Sequence, residues 1–160
     1  MKGRLIGVIG TGSSSPSIDE LAAEVGREIA RNNAVLICGG LGGVMTAAAR
    51  GAKEVGGYTI GVLPGPNISA ANPYIDFPIA TNMGQARNAM IVQTAEVLIA
   101  IAGGYGTLSE IALALKIGKG VVALLPQFSI LGVHRVETPR DAVREAFKLL
   151  DVAGSSTITV

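Results

Sequence analysis

Short apolar runs alternate with longer amphipathic stretches along most of the chain. The apolar runs are continuous rather than alternating, which is typical of strands buried on both faces of a parallel sheet. They lie at residues 4–10, 34–40, 58–65, 77–81, 96–102 and 120–126. Helical periodicity occupies the segments 18–31, 42–57, 83–94, 107–117 and 139–150. This alternation predicts an α/β fold with one doubly wound, Rossmann-like, mostly parallel sheet and helices on both faces.

The long proline-rich link after the third strand, at residues 64–74, determines the predicted topology. Since crossovers between parallel strands are right-handed, this link is expected to return the chain to the middle of the sheet. The expected strand order is 3-2-1-4-5-6. Residues 1–160 are expected to form a single nucleotide- and phosphate-binding domain, in which 151–160 are either a frayed tail or an edge strand. Ligands of such sheets bind where the winding reverses, so we expect the site between the first and fourth strands.

Composition narrows the class of protein. Hydrophobic residues make up 49% of the chain and charged residues only 16%, which indicates a globular protein. The formal net charge of +1 gives no indication of a nucleic-acid partner. No apolar segment approaches the roughly 18 residues of a membrane-spanning helix, and the single cysteine, Cys38, fits a reducing compartment. We expect a cytoplasmic protein that binds neither nucleic acid nor membranes.

Glycine is the most informative residue type, at 22 of 160 residues, about twice the average share of roughly 7%. The stretches VLICGGLGGVM and VLIAIAGGYGT both place GG-x-G between a strand and a helix. Free amides at a helix N-terminus bind anions, and glycine permits close approach, so these loops are predicted to bind phosphate. In the loop after the first strand, Ser13 and Ser14 either bind the ligand or cap the first helix. The predicted binding residues are Gly12, Ser13, Ser14, Gly39, Gly40, Met83, Gly103, Gly104, Gly106 and Thr107.

Several common motifs do not fit. In GTGSSS, Ser15 occupies the position of the third glycine of G-x-G-x-x-G, and no acidic residue ends the second strand to hold a ribose. The motifs G-x-x-x-x-G-K-[ST] and G-x-S-x-G are absent. One cysteine and one histidine, His134, do not give the spacing of a metal site. We therefore expect no metal and no required cofactor.

The segment GGYGTLSE, with an arginine upstream in MGQARN, resembles the PGGxGTxxE motif of the LONELY GUY-like (SLOG) superfamily. Arg87 precedes Glu110 by 23 residues, as the arginine and glutamate of that pattern are spaced. GTGSSS and GGLGGVM are similar to the superfamily's other ligand loops. Two positions depart from the pattern, since Ala102 replaces the usual proline and Asn88 the usual lysine. The resemblance covers roughly residues 4–125.

The best-understood members of the superfamily are cytokinin riboside 5′-monophosphate phosphoribohydrolases, which implies hydrolysis of the N-glycosidic bond of a nucleoside 5′-monophosphate. Arg87 and Glu110 would then be catalytic. The carboxylate of Glu110 would stabilise an oxocarbenium-like ribose and activate water. Arg87 would either hold Glu110 ionised and oriented or contact the phosphate and the departing base. The alternative is a non-catalytic carrier or sensor, because the chain also resembles a compact branch that includes an algal molybdenum-cofactor carrier protein. The bound ligand would be a nucleotide or a molybdopterin-type molecule.

The helices at 83–94 and 107–117 are apolar nearly all round, whereas one apolar stripe suffices to cover a sheet. The surplus apolar surface predicts a homo-oligomer, a dimer or a tetramer, that packs through these two helices.

Overall fold

The computed structural model describes residues 3–155, without the side chain of Ser155. Within them, one seven-stranded parallel sheet is flanked by five α-helices, which confirms the predicted α/β class. The strands are β1 (Leu5–Gly10), β2 (Val35–Cys38), β3 (Thr59–Leu63), β4 (Phe77–Ala80), β5 (Val97–Ile101), β6 (Val121–Leu124) and β7 (His134–Arg135). The helices are α1 (Pro16–Arg31), α2 (Val44–Glu54), α3 (Arg87–Thr94), α4 (Tyr105–Lys116) and α5 (Pro139–Ser155).

The sheet order is β4-β3-β2-β1-β5-β6-β7, with each neighbouring pair parallel. The predicted place of the fourth strand beside the first is wrong, because β4 pairs with β3 at one edge and β5 pairs with β1. Pro78 has no amide hydrogen to donate and both Phe77 and Ile79 are exposed, as suits an edge strand. All five residues of β5 are buried, as a central strand requires. The winding therefore reverses between β1 and β5.

Helices cover both faces of this sheet. The helices α1, α2 and α5 pack in one apolar layer, and α3 and α4 pack in the other. The backbones of α1 and α2 touch, since a methyl group at Gly26 would clash with the Ala48 carbonyl and one at Gly51 with the Ala23 carbonyl. This contact fixes the glycine-rich loop that precedes α2 at the carboxyl edge of the sheet.

Several element ends differ from the predicted ones. The helix α1 begins at Pro16 rather than 18, α4 begins at Tyr105 rather than 107, and a 3₁₀ turn (Gly84–Ala86) replaces the first residues of the predicted third helix. The strand β7 was not predicted, because two residues carry no apolar pattern. Of the predicted tail or edge strand at 151–160, residues 151–155 continue α5 and 156–160 lie outside the described residues. In the part of the chain that the structure describes, no helix has the length and apolar character needed to cross a membrane.

Candidate functional site

A cleft of about 280 Å³ opens at the carboxyl ends of β1 and β5, where the winding of the sheet reverses. Its size is near the lower end of the range of small-molecule sites, roughly 300–1,000 Å³. The loops after β1 and β2 bound the cleft on one side, and the starts of α3 and α4 bound it on the other. The lining residues are Val8, Ile9, Gly10, Thr11, Gly12, Gly39, Met45, Gln85, Arg87, Asn88, Gly104, Gly106, Thr107 and Glu110.

The start of α4 has backbone amides that are unpaired within residues 3–155, and two of these residues, Gly106 and Thr107, line the cleft. The first backbone bond of the helix runs from the Leu108 amide to the Gly104 carbonyl, at 2.9 Å. The amides of Tyr105, Gly106 and Thr107 have no acceptor within residues 3–155, and no side chain caps the helix. Such amides, together with the helix dipole, form an anion-binding site.

Three glycines that line the cleft differ from Gly103, which lies in the turn before α4. A methyl group at Gly12, Gly104 or Gly106 would meet no atom within 4 Å, so nothing in the described chain fills the space in front of these residues. Gly103 is different, because its φ of +98° favours glycine and a methyl group there would clash with the Thr107 side chain. Gly103 therefore shapes the turn, while the other three leave room for a ligand.

Ala102 sets the direction of the loop that leads to α4. It is buried and left-handed, with a φ of +49°, which is uncommon for a residue other than glycine. Its amide donates to the Leu124 carbonyl at 2.9 Å, which extends the pairing of β5 with β6 by one residue. The backbone therefore turns at Ala102, and the turn carries the next two glycines toward the cleft.

Glu110 is a buried carboxyl in the second turn of α4, with only 6% of its surface exposed. Because the helix begins at Tyr105, the attraction of the helix dipole for acidic residues in the first turn does not account for its position. Glu110 forms no hydrogen bond or ion pair with any other residue in 3–155, although it lines the cleft. Burial raises the pKa of Glu110 to about 7, and the positive charge of Arg87 opposes this rise.

Arg87 is the first residue of α3 and is 9% exposed. Its Nη1 donates to Oδ1 of Asn88, and this is the guanidinium's only hydrogen bond within residues 3–155. The buried Nε has no partner in the described part of the chain, so most of the five N–H donors of this arginine are unpaired there. Desolvation lowers the pKa of Arg87, against the attraction of Glu110. The two residues share the cleft without forming an ion pair in the described chain.

Gly39 provides the space for this guanidinium. A methyl group at Gly39 would lie 2.7 Å from each of Nη1 and Nη2 of Arg87 and 2.6 Å from Sδ of Met45. Asn88 holds Nη1 of Arg87, and the Asn88 amide nitrogen donates to Oε1 of Gln85 at 3.4 Å. The guanidinium thus lies against Asn88 and the bare backbone of Gly39.

We expect the substitution Gly39→Ala to lower the free energy of unfolding by about 2 kcal/mol, because Arg87 and Met45 must both move. The matched control is Gly12→Ala, whose methyl group enters open space and should change the free energy by less than about 0.5 kcal/mol. Urea denaturation of the unliganded proteins measures both values. Equal stability of the two variants would contradict the described position of Arg87.

The structure brings together seven of the predicted site residues, Gly12, Gly39, Arg87, Gly104, Gly106, Thr107 and Glu110. Five others do not line the cleft, namely Ser13, Ser14, Gly40, Met83 and Gly103. The Ser14 hydroxyl donates to the Asp19 carboxylate in the first turn of α1, and the Ser13 amide donates to the Thr11 hydroxyl at 3.1 Å. Gly40 packs against Leu63, and the Met83 side chain is exposed.

Sequence reasoning did not assign the other seven lining residues to the site. Val8 and Ile9 read as ordinary strand residues, and their pattern contains no ligand-binding signal. Gly10 and Met45 lie at the ends of GTGSSS and GGLGGVM, the two segments that resemble ligand loops. Thr11 lies within GTGSSS, and Gln85 and Asn88 flank Arg87 in MGQARN, so their places beside predicted residues were the available signal. Within residues 3–155, no three histidine, cysteine or acidic side chains form a group that could hold a metal ion.

Known proteins resemble this chain over most of its length. The family model described as "SLOG cluster4 family" matches residues 3–149. An uncharacterized protein of Archaeoglobus fulgidus is 49% identical over 143 residues, which cover 89% of this chain and 94% of that protein. A cytokinin riboside 5′-monophosphate phosphoribohydrolase of Mycobacterium tuberculosis is 38% identical over 96 residues, or 58% of this chain and 51% of that enzyme.

Two solved structures share the whole fold. The molybdenum cofactor binding protein of the phototrophic bacterium Rippkaea orientalis is 35% identical with a TM-score of 0.87, over 94% of this chain and 99% of that one. The molybdenum cofactor carrier protein of Chlamydomonas reinhardtii is 37% identical with a TM-score of 0.86, over the same shares of each chain. The resemblance inferred from the GGYGT loop, Arg87 and Glu110 is confirmed by these matches. The chain belongs to the SLOG cluster4 family.

Proposed function

We propose that the cleft binds a small ligand through its phosphate group and that the protein carries a phosphorylated pterin-type ligand such as the molybdenum cofactor. The observation that supports this most strongly is the row of unpaired amides at Tyr105, Gly106 and Thr107, beside glycines with open space in front of them. A molecule of the size of a nucleotide or a pterin phosphate suits a cleft of about 280 Å³.

Phosphate is the chemical group that these donors suit best. The amides of α4 provide hydrogen bonds along the helix dipole, and the largely unpaired guanidinium of Arg87 adds a positive charge in the same cleft. Charge-assisted hydrogen bonds of this kind contribute on the order of 1.5–3 kcal/mol each. A phosphate bound here would accept hydrogen bonds from the α4 amides and from the buried Arg87 guanidinium, which are largely unpaired within residues 3–155.

The carrier function is favoured by the way Arg87 is held. Asn88 accepts a hydrogen bond from Arg87, and within residues 3–155 Arg87 forms no ion pair with Glu110. Glu110 therefore lacks the ion pair that would keep it ionised, and burial favours its neutral form. The solved structures described as molybdenum cofactor binding and carrier proteins also match 94% of the chain, whereas the phosphoribohydrolase matches 58%.

A second candidate is hydrolysis of a nucleoside 5′-monophosphate. It is favoured by the meeting of Glu110 and Arg87 in one cleft, and by a carboxyl pKa near 7, which suits general acid–base catalysis at neutral pH. In this case Glu110 would assist water or the leaving base, and Arg87 would contact the phosphate. The partial match to the Mycobacterium tuberculosis phosphoribohydrolase supports the same reaction.

One pair of measurements separates the two candidates. Protein purified without oxygen from cells that make the molybdenum cofactor should contain a pterin, detectable by fluorescence after oxidation, and incubation with AMP or GMP should release no free base. Release of free base that disappears in Glu110→Gln would establish the hydrolase instead. Protein that contains no pterin, gains no thermal stability from either nucleotide and releases no base would contradict both candidates.

We also propose that the protein assembles with further copies of itself through α3 and α4. Leu113 of α4 and Ile117, the residue that follows α4, are 39% and 45% exposed, although both are apolar. Burial of these side chains against a second copy would remove apolar surface from water. Light scattering should show a dimer or tetramer, and the double substitution Leu113→Lys with Ile117→Lys should shift it to the monomer. A wild-type monomer at micromolar concentration would contradict this.

A further inference from the structure

Glu110 is placed where an anionic ligand would meet it. The Glu110 residue is 94% buried, lines the same cleft as Gly106 and Thr107 of its own helix, and has no hydrogen-bond partner among residues 3–155. An unpaired buried polar group is costly, so such groups are normally satisfied by something. Since Glu110 lines the cleft, a ligand that displaces solvent from the cleft would become the hydrogen-bond partner of its carboxyl.

The groups that face Glu110 determine what its charge can be. Arg87, from α3, is the only charged side chain that interacts with it within the described part of the chain. The thiol of Cys38, from β2, is buried near Arg87, and burial raises its pKa to about 11, so it is neutral at physiological pH. The other polar side chains that line the cleft carry no charge, namely Thr11, Gln85, Asn88 and Thr107.

A bound phosphate would add negative charge to this enclosed site. Two anions side by side at low dielectric repel each other strongly, and the usual outcome is that the weaker acid takes up a proton. One guanidinium does not neutralise both a phosphate dianion and a carboxylate. Both its burial and the adjacent phosphate therefore favour the neutral form of the Glu110 carboxyl in the complex.

We propose that Glu110 binds the ligand as a neutral carboxylic acid, donating its O–H to an oxygen of the ligand's anionic group, so that ligand binding takes up one proton from solvent. This inference rests on the proposed binding of a phosphorylated ligand in the cleft. No bond other than a hydrogen bond forms, and the proton returns to solvent when the ligand leaves. The affinity for the ligand consequently depends on pH, and loss of the proton from Glu110 favours release of the ligand.

Burial, opposed by the charge of Arg87, already raises the pKa of Glu110 to about 7 in the unliganded protein, and the anion would raise it further. Below pH 7 the carboxyl is protonated before and after binding, so pH has no effect through this group. Above pH 7 the free protein loses the proton that the complex keeps, so the affinity falls by up to about tenfold per pH unit. The fall ends when the pH reaches the pKa of the complex.

The test is titration calorimetry of GMP binding at pH 8, in two buffers with different ionisation enthalpies. The phosphate of GMP, with a second pKa of about 6, is already a dianion at this pH and contributes no proton exchange. The wild-type protein should take up about half to one proton per GMP bound. Glu110→Gln keeps a neutral donor of the same shape, so it should bind GMP with no proton uptake and with a dissociation constant that changes little between pH 7 and 9.

Two results would overturn the inference while leaving the proposed function intact. One is GMP binding by the wild type without proton uptake at pH 8. The other is a loss of GMP affinity of about tenfold or more in Glu110→Gln at pH 6, where both proteins have a neutral group at this position. Failure of the wild-type protein to bind GMP at any pH between 5.5 and 9 would instead contradict phosphate binding itself, and this inference with it.

Discussion

Replacement of Glu110 by glutamine is expected to raise the free energy of unfolding of the unliganded protein by about 3 kcal/mol at pH 8 and to leave it nearly unchanged at pH 4. The native pKa of about 7 lies above the ordinary value of 4.5, because the carboxyl is buried. The raised pKa favours the folded state at low pH, and this contribution is lost as the pH rises from 4.5 through 7. Above pH 7 the wild-type protein holds a buried carboxylate, which the glutamine variant avoids.

Urea denaturation at pH 4, 6 and 8 measures this difference, which should grow with pH up to about 7 and then stay constant. Glu137→Gln is the control, since Glu137 is an exposed carboxyl with no ion pair within residues 3–155, and its effect should be small at every pH. A Glu110→Gln variant that is less stable than the wild type at pH 8 would show that the carboxylate has a partner that stabilises it.

The substitution Ala102→Pro should destabilise the protein by about 3 kcal/mol or more. Proline fixes φ near −65°, whereas Ala102 has a φ of +49°, and proline also removes the amide that donates to the Leu124 carbonyl. The superfamily pattern usually has proline at this position, so the backbone of this chain turns in a direction that proline does not permit. Differential scanning calorimetry of the wild-type protein and Ala102→Pro measures this loss of stability.

The control for this substitution is Ala102→Gly, which accepts a positive φ without strain and keeps the amide. Glycine relieves backbone strain in the folded state, but it also increases the conformational entropy of the unfolded chain. The net change in the free energy of unfolding should therefore stay within about 1 kcal/mol. A proline variant as stable as the glycine variant would show that the chain does not turn at Ala102 as described.

Much of the fold could be predicted from local patterns, but the strand order could not. Each strand has an apolar run, and the run shows that a strand forms without showing which neighbour it pairs with. The segment at 77–81 was placed in the centre although Pro78 and the shortness of its apolar run favour an edge. The uninterrupted run of β5, Val97–Ile101, was the better candidate for the partner of β1.

The site was predicted in outline because loops at the carboxyl ends of parallel strands must converge. The sequence predicted that Arg87 and Glu110 share one site, but it did not predict how each side chain is held. The bond to Asn88 and the space above Gly39 depend on packing between distant elements. The glycines show the same limit. Gly103 and Gly106 look alike in the sequence, yet a methyl group at Gly103 would clash with Thr107 and one at Gly106 would meet only open space.

The most direct test of the central claim is equilibrium binding of GMP at pH 6.5 to the wild-type protein, Gly106→Ala and Gly65→Ala. Both glycines have open space around them and neither has a positive φ, but only Gly106 lines the cleft. A methyl group at Gly106 should occupy the place of the phosphate and weaken binding by about 10- to 100-fold, without lowering the melting temperature. Gly65→Ala should bind GMP as the wild type does. If Gly106→Ala binds GMP as tightly as the other two proteins, the start of α4 is not where the phosphate binds.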